Sequence, residues 1–292
     1  MKIATLGGMN LHRRVAAARV ALFALVLTAQ SASGQDSARV RVVFLDVGQG
    51  DAALVISPEG KTALIDAGPA RADVADRLAR FGIDTLDLVI ASHADADHIG
   101  GMERVLRAFP TRTFLDNGTP HTTTTYLRLM HAVDSLGITY LAPLARTVAL
   151  GSVSLRVLPP WPAGTSQNDR SVAILLAFGA FRTLLAGDAE RDELRYFLTL
   201  DIPEVTVLKA THHGARNGVT PGWIARTRPS IVVISLGADD LLGRPDPRAL
   251  RYYSALGASI YRTDRDGSIV IEGHADGSYD VETQHVRQDS VR

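Results

Sequence analysis

The stretch "SHADADHIGG", residues 92–101, places two histidines and two aspartates within six residues and ends on a pair of glycines. It follows the apolar run "LDLVIAS" (86–92) and leads into a stretch with helical patterning at 99–109. Open α/β folds carry their chemistry at such junctions, in the loops that leave the strand ends. His93 and Asp95 are two residues apart, so in an extended segment their side chains point the same way. Asp97 and His98 are adjacent and can address different partners, while Gly100 and Gly101 let the backbone turn tightly beside them. One octahedral ion could hardly take all four of these side chains. Two divalent ions roughly 3.5–4 Å apart could.

Two further stretches fit the same pattern. "LLAGDAE" ends an apolar run on Asp188, in position to bridge two ions, and "LKATHHGARN" sets His212 and His213 at the end of another. One of these two histidines is expected to be a ligand, with His212 favoured. His213 is then left to steady the ligands or to join the catalytic set against substrate. The 292 residues include no cysteine, which excludes disulfides, thiolate zinc sites and cysteine nucleophiles together. Any metal must be held by histidine and carboxylate.

The first 34 residues read differently from the rest. Lys2, Arg13, Arg14 and Arg19 form a cationic lead, "VALFALVLTA" (20–29) is a short apolar run, and Ala32 and Gly34 are small residues before Gln35. This is the layout of a secretory signal peptide over 1–34, and the run is short for a membrane span. The expected location is therefore secreted or periplasmic, with an uncleaved N-terminal anchor as the alternative. No stable membrane partner is expected after cleavage. The leader holds four Lys/Arg and no Asp/Glu. Removing four from 31 leaves 27 basic against 31 acidic residues in 35–292, a net charge of −4. Proteins whose affinity comes from neutralising many phosphates are usually basic, so tight, non-specific nucleic-acid binding is disfavoured.

Residues 35–292 are expected to form one domain. Short strands rich in Val, Leu and Ile are expected at 40–47, 52–57, 62–68, 86–92, 111–117, 153–159, 171–179, 181–188, 205–211, 230–237, 259–263 and 268–273. Helices are expected near 71–81, 99–109, 123–136, 190–199, 219–227 and 247–256. Strands in hairpin groups that also alternate with helices suggest two sheets packed face to face with helices outside, a four-layer αββα arrangement in the α/β class.

The ordered set "FLDVGQGDAALV", "LIDAG", "SHADADHIGG", "NDRSVAILLAFG", "LLAGD", "LKATHHG", "VVISLGADD" and "YRTDRDGSIVIE" covers about 40–273. On these motifs the chain resembles the metallo-β-lactamase superfamily, and within it the hydrolase domain of the ComEC-type competence proteins. The resemblance implies the αββα sandwich and two divalent metal ions held by His93, Asp95, Asp97, His98, Asp188 and His212. The general superfamily signature is His-x-His-x-Asp-His, and Asp95 stands at its second histidine, as in the ComEC-type branch. Three carboxylates favour harder ions such as manganese, while zinc accepts both donor types.

The chain departs from the pattern at three points. The superfamily usually has a histidine ligand between the second motif and the bridging aspartate. Only His121 and His131 lie there, with His121 on a loop that could approach the site; Asn168 and Ser171 resemble an Asn/Ser motif of the ComEC-type branch that could take the missing ligand's place. Gly243-Arg244-Pro245 stands where related sequences tend to have Gly-His-Pro, and Arg244 is a candidate clamp for an anionic oxygen. A full competence protein also carries many membrane-spanning helices, so DNA import cannot be inherited from the resemblance.

Two ions lower the pKa of a water between them, and Asp97 or Asp95 would orient it. The foremost expectation is a secreted metal-dependent phosphodiesterase or nuclease-type hydrolase, acting on a small-molecule or nucleic-acid phosphodiester. Hydrolysis of lactams, lactones or other esters is the alternative, followed by a non-catalytic metal-binding module.

Overall fold

The computed structural model describes residues 38–285 apart from Asp239. The leader expected at 1–34 lies outside these residues. The chain opens with an antiparallel meander, β1 (Arg39–Phe44), β2 (Ala53–Ile56) and β3 (Thr62–Ile65). It then alternates. Helix α1 (Val74–Arg80) leads to β4 (Leu86–Ile90), α2 (Ala96–Ile99) and α3 (Met102–Ala108) lead to β5 (Thr111–Leu115), and α4 (Thr124–Ser135) leads to β6 (Thr139–Leu141). A second meander follows, β7 (Arg146–Leu150), β8 (Val153–Leu158), β9 (Ala173–Phe178) and β10 (Phe181–Leu185). The alternation then repeats: α5 (Arg191–Phe197) precedes β11 (Val207–Lys209), α6 (Pro221–Thr227) precedes β12 (Ile231–Ile234), and α7 (Pro247–Ala255) precedes β13 (Ser259–Arg262). A short α8 (Thr263–Asp266) returns the chain to β14 (Ile269–His274) and β15 (Tyr279–Thr283).

The strands form two sheets. One has the order β15-β14-β1-β2-β3-β4-β5-β6 and the other β13-β12-β11-β10-β9-β8-β7. In each, the meander supplies an antiparallel half, and the strands joined through helices supply a parallel half. A parallel pair needs a crossover long enough to return the chain, and the helices that make it must cover a sheet face. The apolar residues sort accordingly. Alternate residues of β1 face opposite ways: Val42 and Phe44 join the cluster between the sheets, with Leu155, Phe181 and Ile271, while Val43 joins Leu78, Met102 and Leu129 under α1, α3 and α4. A third cluster, with Phe197, Trp223 and Tyr253, lies between the second sheet and α5, α6 and α7. Three buried clusters between four layers make an αββα sandwich. Among the described residues no helix is long and apolar enough to cross a membrane.

Three strands appear where none was expected: β6, β7 and β15. The helix expected at 99–109 is two, broken between α2 and α3 at Gly100–Gly101. Both glycines have ordinary negative φ, −58° and −86°, so they are not needed for a turn. They are needed for proximity. A Cβ on Gly101 would lie 2.4 Å from the Ala67 carbonyl oxygen, and one on Gly100 would lie 2.6 Å from the Ala70 nitrogen. The absence of side chains lets the loop leaving β3 press against the loop leaving β4.

Candidate metal centre

The polar residues of the site collect at one edge of the sandwich, where the parallel strands of both sheets end. Asp66 follows β3, residues 92–98 follow β4, Asp188 follows β10, residues 211–214 follow β11, and Ser235 follows β12. Asp51 precedes β2, whose start lies beside the end of antiparallel β3 through the pair Ala53–Ile65. The single turn of α2 directs Asp97 and His98 inward. It is tied down by the Asp51 N–H, which donates to the Asp97 carbonyl at 3.1 Å, and the Ala67 N–H, which donates to the His98 carbonyl at 2.7 Å. Gly50 makes this approach possible: its φ is +133°, and a Cβ there would sit 2.1 Å from the Asp97 carbonyl oxygen.

Three imidazoles are anchored by one nitrogen and presented by the other. Nδ1 of His93 meets the Ser92 hydroxyl at 3.0 Å, Nδ1 of His98 meets Asp66 at 2.9 Å, and Nδ1 of His213 donates to the Ser235 carbonyl at 2.8 Å. Their Nε2 atoms converge. That of His98 lies 3.3 Å from Asp188 Oδ1 and that of His213 3.3 Å from Asp188 Oδ2. The His213 Nε2 is also 3.5 Å from Asp97, and the His93 Nε2 is 3.5 Å from Asp95. Asp66 is fully engaged, accepting from the Ser92 N–H and hydroxyl as well as from His98. Lys209, buried on β11, places its ammonium against Asp51 and 3.7 Å from Asp188.

The site is electrostatically tense. Burial alone would lower the pKa values of His98 and His213, yet the charge of Asp188 prevails. His98, aided by Asp66, is held well above the usual imidazole range, and His213, aided by Asp51, is pushed up to about 9. Burial works against the Asp188 and Asp97 charges as well, yet the neighbouring imidazoles hold both carboxyls below their ordinary range.

The donor set fits a metal. Nε2 of His93, His98 and His213, with Oδ1 of Asp188 and of Asp51, are buried and have no hydrogen-bond partner. Five orphaned polar atoms in one place are costly unless something satisfies them. Each histidine already gives its other nitrogen to an anchoring group, which is how metal-ligating histidines are oriented. Ligand atoms lie within 4.8 Å of one another in four sets: His93–His98–Asp188, Asp97–His98–His213, Asp51–Asp188–His213 and Asp51–Asp66–His98.

Of the residues expected from sequence, His93, Asp97, His98, Asp188 and His213 come together in these sets. Asp95 stands beside His93 with its side chain 42 % exposed. His212 is half-buried, 3.8 Å from Asp188, with Nδ1 3.6 Å from Glu190 and Nε2 3.5 Å from Asn168. Both histidines have left-handed backbone, with φ of 51° and 54°, so they diverge: His213 turns into the protein and His212 towards the 168–171 loop. Asn168 donates to Glu190 at 3.2 Å. Ser171 is fully buried; its hydroxyl accepts from the Asp188 N–H at 3.2 Å and donates to the Asn168 carbonyl at 3.0 Å. Arg244 forms an ion pair with Asp240 at 2.8 Å and donates to Gln49, whose amide is oriented to satisfy both neighbours. His121 meets Thr123 and the edge of Tyr126 and belongs to none of the four sets.

Sequence reasoning missed Asp51, Asp66, Lys209 and Ser92 as members of the site. The first three lie inside "FLDVGQGDAALV", "LIDAG" and "LKATHHG", and Ser92 opens "SHADADHIGG"; these stretches were legible as motifs without the individual roles.

Recombination protein 2 of Haemophilus influenzae is 28% identical over 224 residues, covering 74% of this chain and 26% of the relative. ComE operon protein 3 of Bacillus subtilis is 24% identical over 257 residues, covering 80% and 33%. The chain thus spans about a quarter to a third of the length of these two ComEC-type competence relatives. Among solved structures, the metallo-beta-lactamase fold protein YhfI from Bacillus subtilis aligns with a TM-score of 0.52 at 15% identity, over 80% of this chain and 100% of that one. CmlA, a diiron beta-hydroxylase from Streptomyces venezuelae, aligns with a TM-score of 0.51 at 15% identity, over 79% and 53%. These two likenesses concern the fold. The family profile described as Metallo-beta-lactamase superfamily matches residues 45–242, from the end of β1 through the last strand that feeds the site, and with the sandwich and its histidine–aspartate centre it makes this chain a member of that superfamily.

Proposed function

We propose that the chain is a metal-dependent phosphodiesterase with two divalent ions at the strand-end centre. The observation that carries the metal reading is the convergence of orphaned buried donors from His93, His98, His213, Asp188 and Asp51. His93, Asp95 and Asp188 would hold one ion, and Asp97, His98 and His213, sharing Asp188, the other. When bound, such a pair supplies Lewis acidity and a water of lowered pKa. The residues of this chain do the rest. Asp66, Ser92 and the Ser235 carbonyl fix the imidazole tautomers and leave Nε2 free as a donor atom. Lys209 balances part of the carboxylate charge beside Asp51. Asp95, the most exposed carboxylate of the set, would orient the attacking water. His212 and Asn168 flank the open side, where a substrate oxygen would lie; burial holds His212 below the usual imidazole range and so neutral, able to give one hydrogen bond without competing as a cation.

The phosphodiester assignment draws support from the likeness to recombination protein 2 and ComE operon protein 3, and from the carboxylate-rich ligand set, which suits the hard ions used with phosphate esters. Secretion or periplasmic residence is proposed from the leader. The test is a substrate panel on metal-reconstituted protein. Bis-nitrophenyl phosphate should be hydrolysed, with activity lost on chelation and restored by zinc or manganese. Turnover of nitrocefin or a lactone with none of the phosphodiester would overturn the reading.

A further inference from the structure

Away from the metal centre, a cavity of about 430 Å³ opens on the helix layer of the second sheet. Its rim carries four arginines, Arg191, Arg195, Arg216 and Arg248, and its wall includes Tyr252. Arg195 is paired with Asp192. Among the described residues no carboxylate lies within ion-pair distance of Arg191, Arg216 or Arg248. Three uncompensated guanidinium groups around one concavity stand out in a chain whose residues 35–292 carry a net charge of −4. All three are exposed, so water screens their mutual repulsion, and together they offer an anion several guanidinium donors around one concavity.

The arginines are also placed by the site's own connections. Arg191 opens α5, three residues after Asp188. Arg216 sits three residues after His213, on a loop closed by Thr211, whose hydroxyl donates to the Gly218 carbonyl, and by the Gly218 N–H, which donates to the Ala215 carbonyl at 3.1 Å. Arg248 lies in the first turn of α7, beyond the Asp240–Asp246 loop, whose Asp246 N–H donates to the Gly214 carbonyl at 2.9 Å. All three are thus carried by the connections that leave β10, β11 and β12, the strands whose ends supply the centre. Tyr252, one turn on from Arg248, is 37 % exposed. Guanidinium groups that grip phosphate beside an exposed aromatic ring are the elements that hold single-stranded nucleic acid.

We propose that this groove binds a short stretch of a single-stranded nucleic acid, with neighbouring phosphates on Arg191, Arg216 and Arg248 and a base on Tyr252. The assignment deepens the phosphodiesterase reading and rests on it for the fate of the strand, but binding itself requires only the groove. With at most three phosphates neutralised, the site is weak and local, in keeping with the acidic background.

The experiment is a binding titration of the full-length chain with fluorescent oligothymidylate and, separately, inorganic polyphosphate, at several salt concentrations. Wild type should bind the oligonucleotide saturably, with log K falling against log salt at a slope near roughly −2, about −0.7 for each of three contacts. The triple variant Arg191→Ala/Arg216→Ala/Arg248→Ala should lose roughly a hundredfold or more, and its slope should approach zero. Removing the same charge from the opposite helix layer, by Arg80→Ala/Arg107→Ala/Arg128→Ala, should change affinity by less than about threefold at a salt concentration that screens distant charges. Tyr252→Ala should weaken the oligonucleotide by about fivefold or more and leave polyphosphate unaffected. Asp188→Ala, which abolishes hydrolysis if the proposed function holds, should keep the groove's binding, so the two readings fail separately. No saturable binding by wild type, equal losses in the two triple variants, or indifference of the oligonucleotide to Tyr252→Ala would each overturn the assignment.

Discussion

Asp66 accepts a hydrogen bond from Nδ1 of His98 at 2.9 Å, and that bond leaves Nε2 of the same ring 3.3 Å from Asp188. One carboxylate therefore fixes the tautomer of a histidine that presents itself to another carboxylate. Asp66→Asn keeps the size and tolerates the left-handed backbone, with φ 58° at this position, but loses the anionic acceptor. Metal affinity should fall about ten- to a hundredfold. Isothermal titration with zinc or manganese checks this, and a change under about twofold would remove Asp66 from the centre.

Asp188 lies between His98 on one oxygen and His213 on the other. Asp188→Ala should reduce bound metal well below the wild-type stoichiometry and lower activity at least about a hundredfold. Asp192→Ala, on the exposed face of α5, should leave both unchanged within about twofold. Elemental analysis and turnover on the same preparations decide; equal effects from the two changes would contradict a shared ligand.

Lys209 is the buried cation of the site. Lys209→Met leaves Asp51 without its partner, and breaking a buried pair from one side costs about 3–5 kcal/mol. Denaturant unfolding in chelator should show this loss. Metal should then stabilise the variant more than wild type, because a divalent ion supplies the missing positive charge to Asp51 and Asp188. The same metal-induced gain in both proteins would mean that the ammonium and the ions do not share these carboxylates.

Glu193 lies buried on α5 and accepts from the backbone N–H groups of Trp161 and Ser171. Burial outweighs these bonds and pushes its carboxyl up to about 8 from an ordinary 4.5. The folded chain therefore holds a proton that the unfolded chain has released, and Glu193 removes stability as pH rises from about 4.5 to 8. Glu193→Gln cannot ionise. It should be less stable than wild type at pH 5, having lost one acceptor, and the gap should narrow towards pH 8. Thermal unfolding across that range measures it; a constant gap would mean that Glu193 does not titrate there.

Much of the fold was legible, and the parts that were not share a cause. The strands missing from the sequence reading, β6, β7 and β15, all stand at sheet edges. An edge strand is paired on one side and lightly covered, so "TYL", "RTVAL" and "YDVET" need no apolar run to hold them. The site divides in the same way. His93–His98 stood out because four ligand types crowd into six residues. Asp51, Asp66 and Lys209 are single residues at strand ends, where a carboxylate ordinarily marks a turn; only the meeting of β2, β3 and β11 at one edge makes them neighbours. Ser171 read as a residue that could take the missing ligand's place; in the fold it is buried, and its hydroxyl accepts from the Asp188 N–H and donates to the Asn168 carbonyl.

The ligand set is contributed by both sheets: His93, Asp97 and His98 by the first, Asp188 and His213 by the second. A chain without cysteine has no covalent tie between its layers, yet an ion held by donors from both would bridge them as a reversible fastening. Separating the two sheets would then require releasing the ion, so global opening should slow as free metal rises. Amide hydrogens of β4 and β10, deep in the two facing sheets, should exchange more slowly in loaded protein, while those of β6 and β15 at the margins should hardly notice.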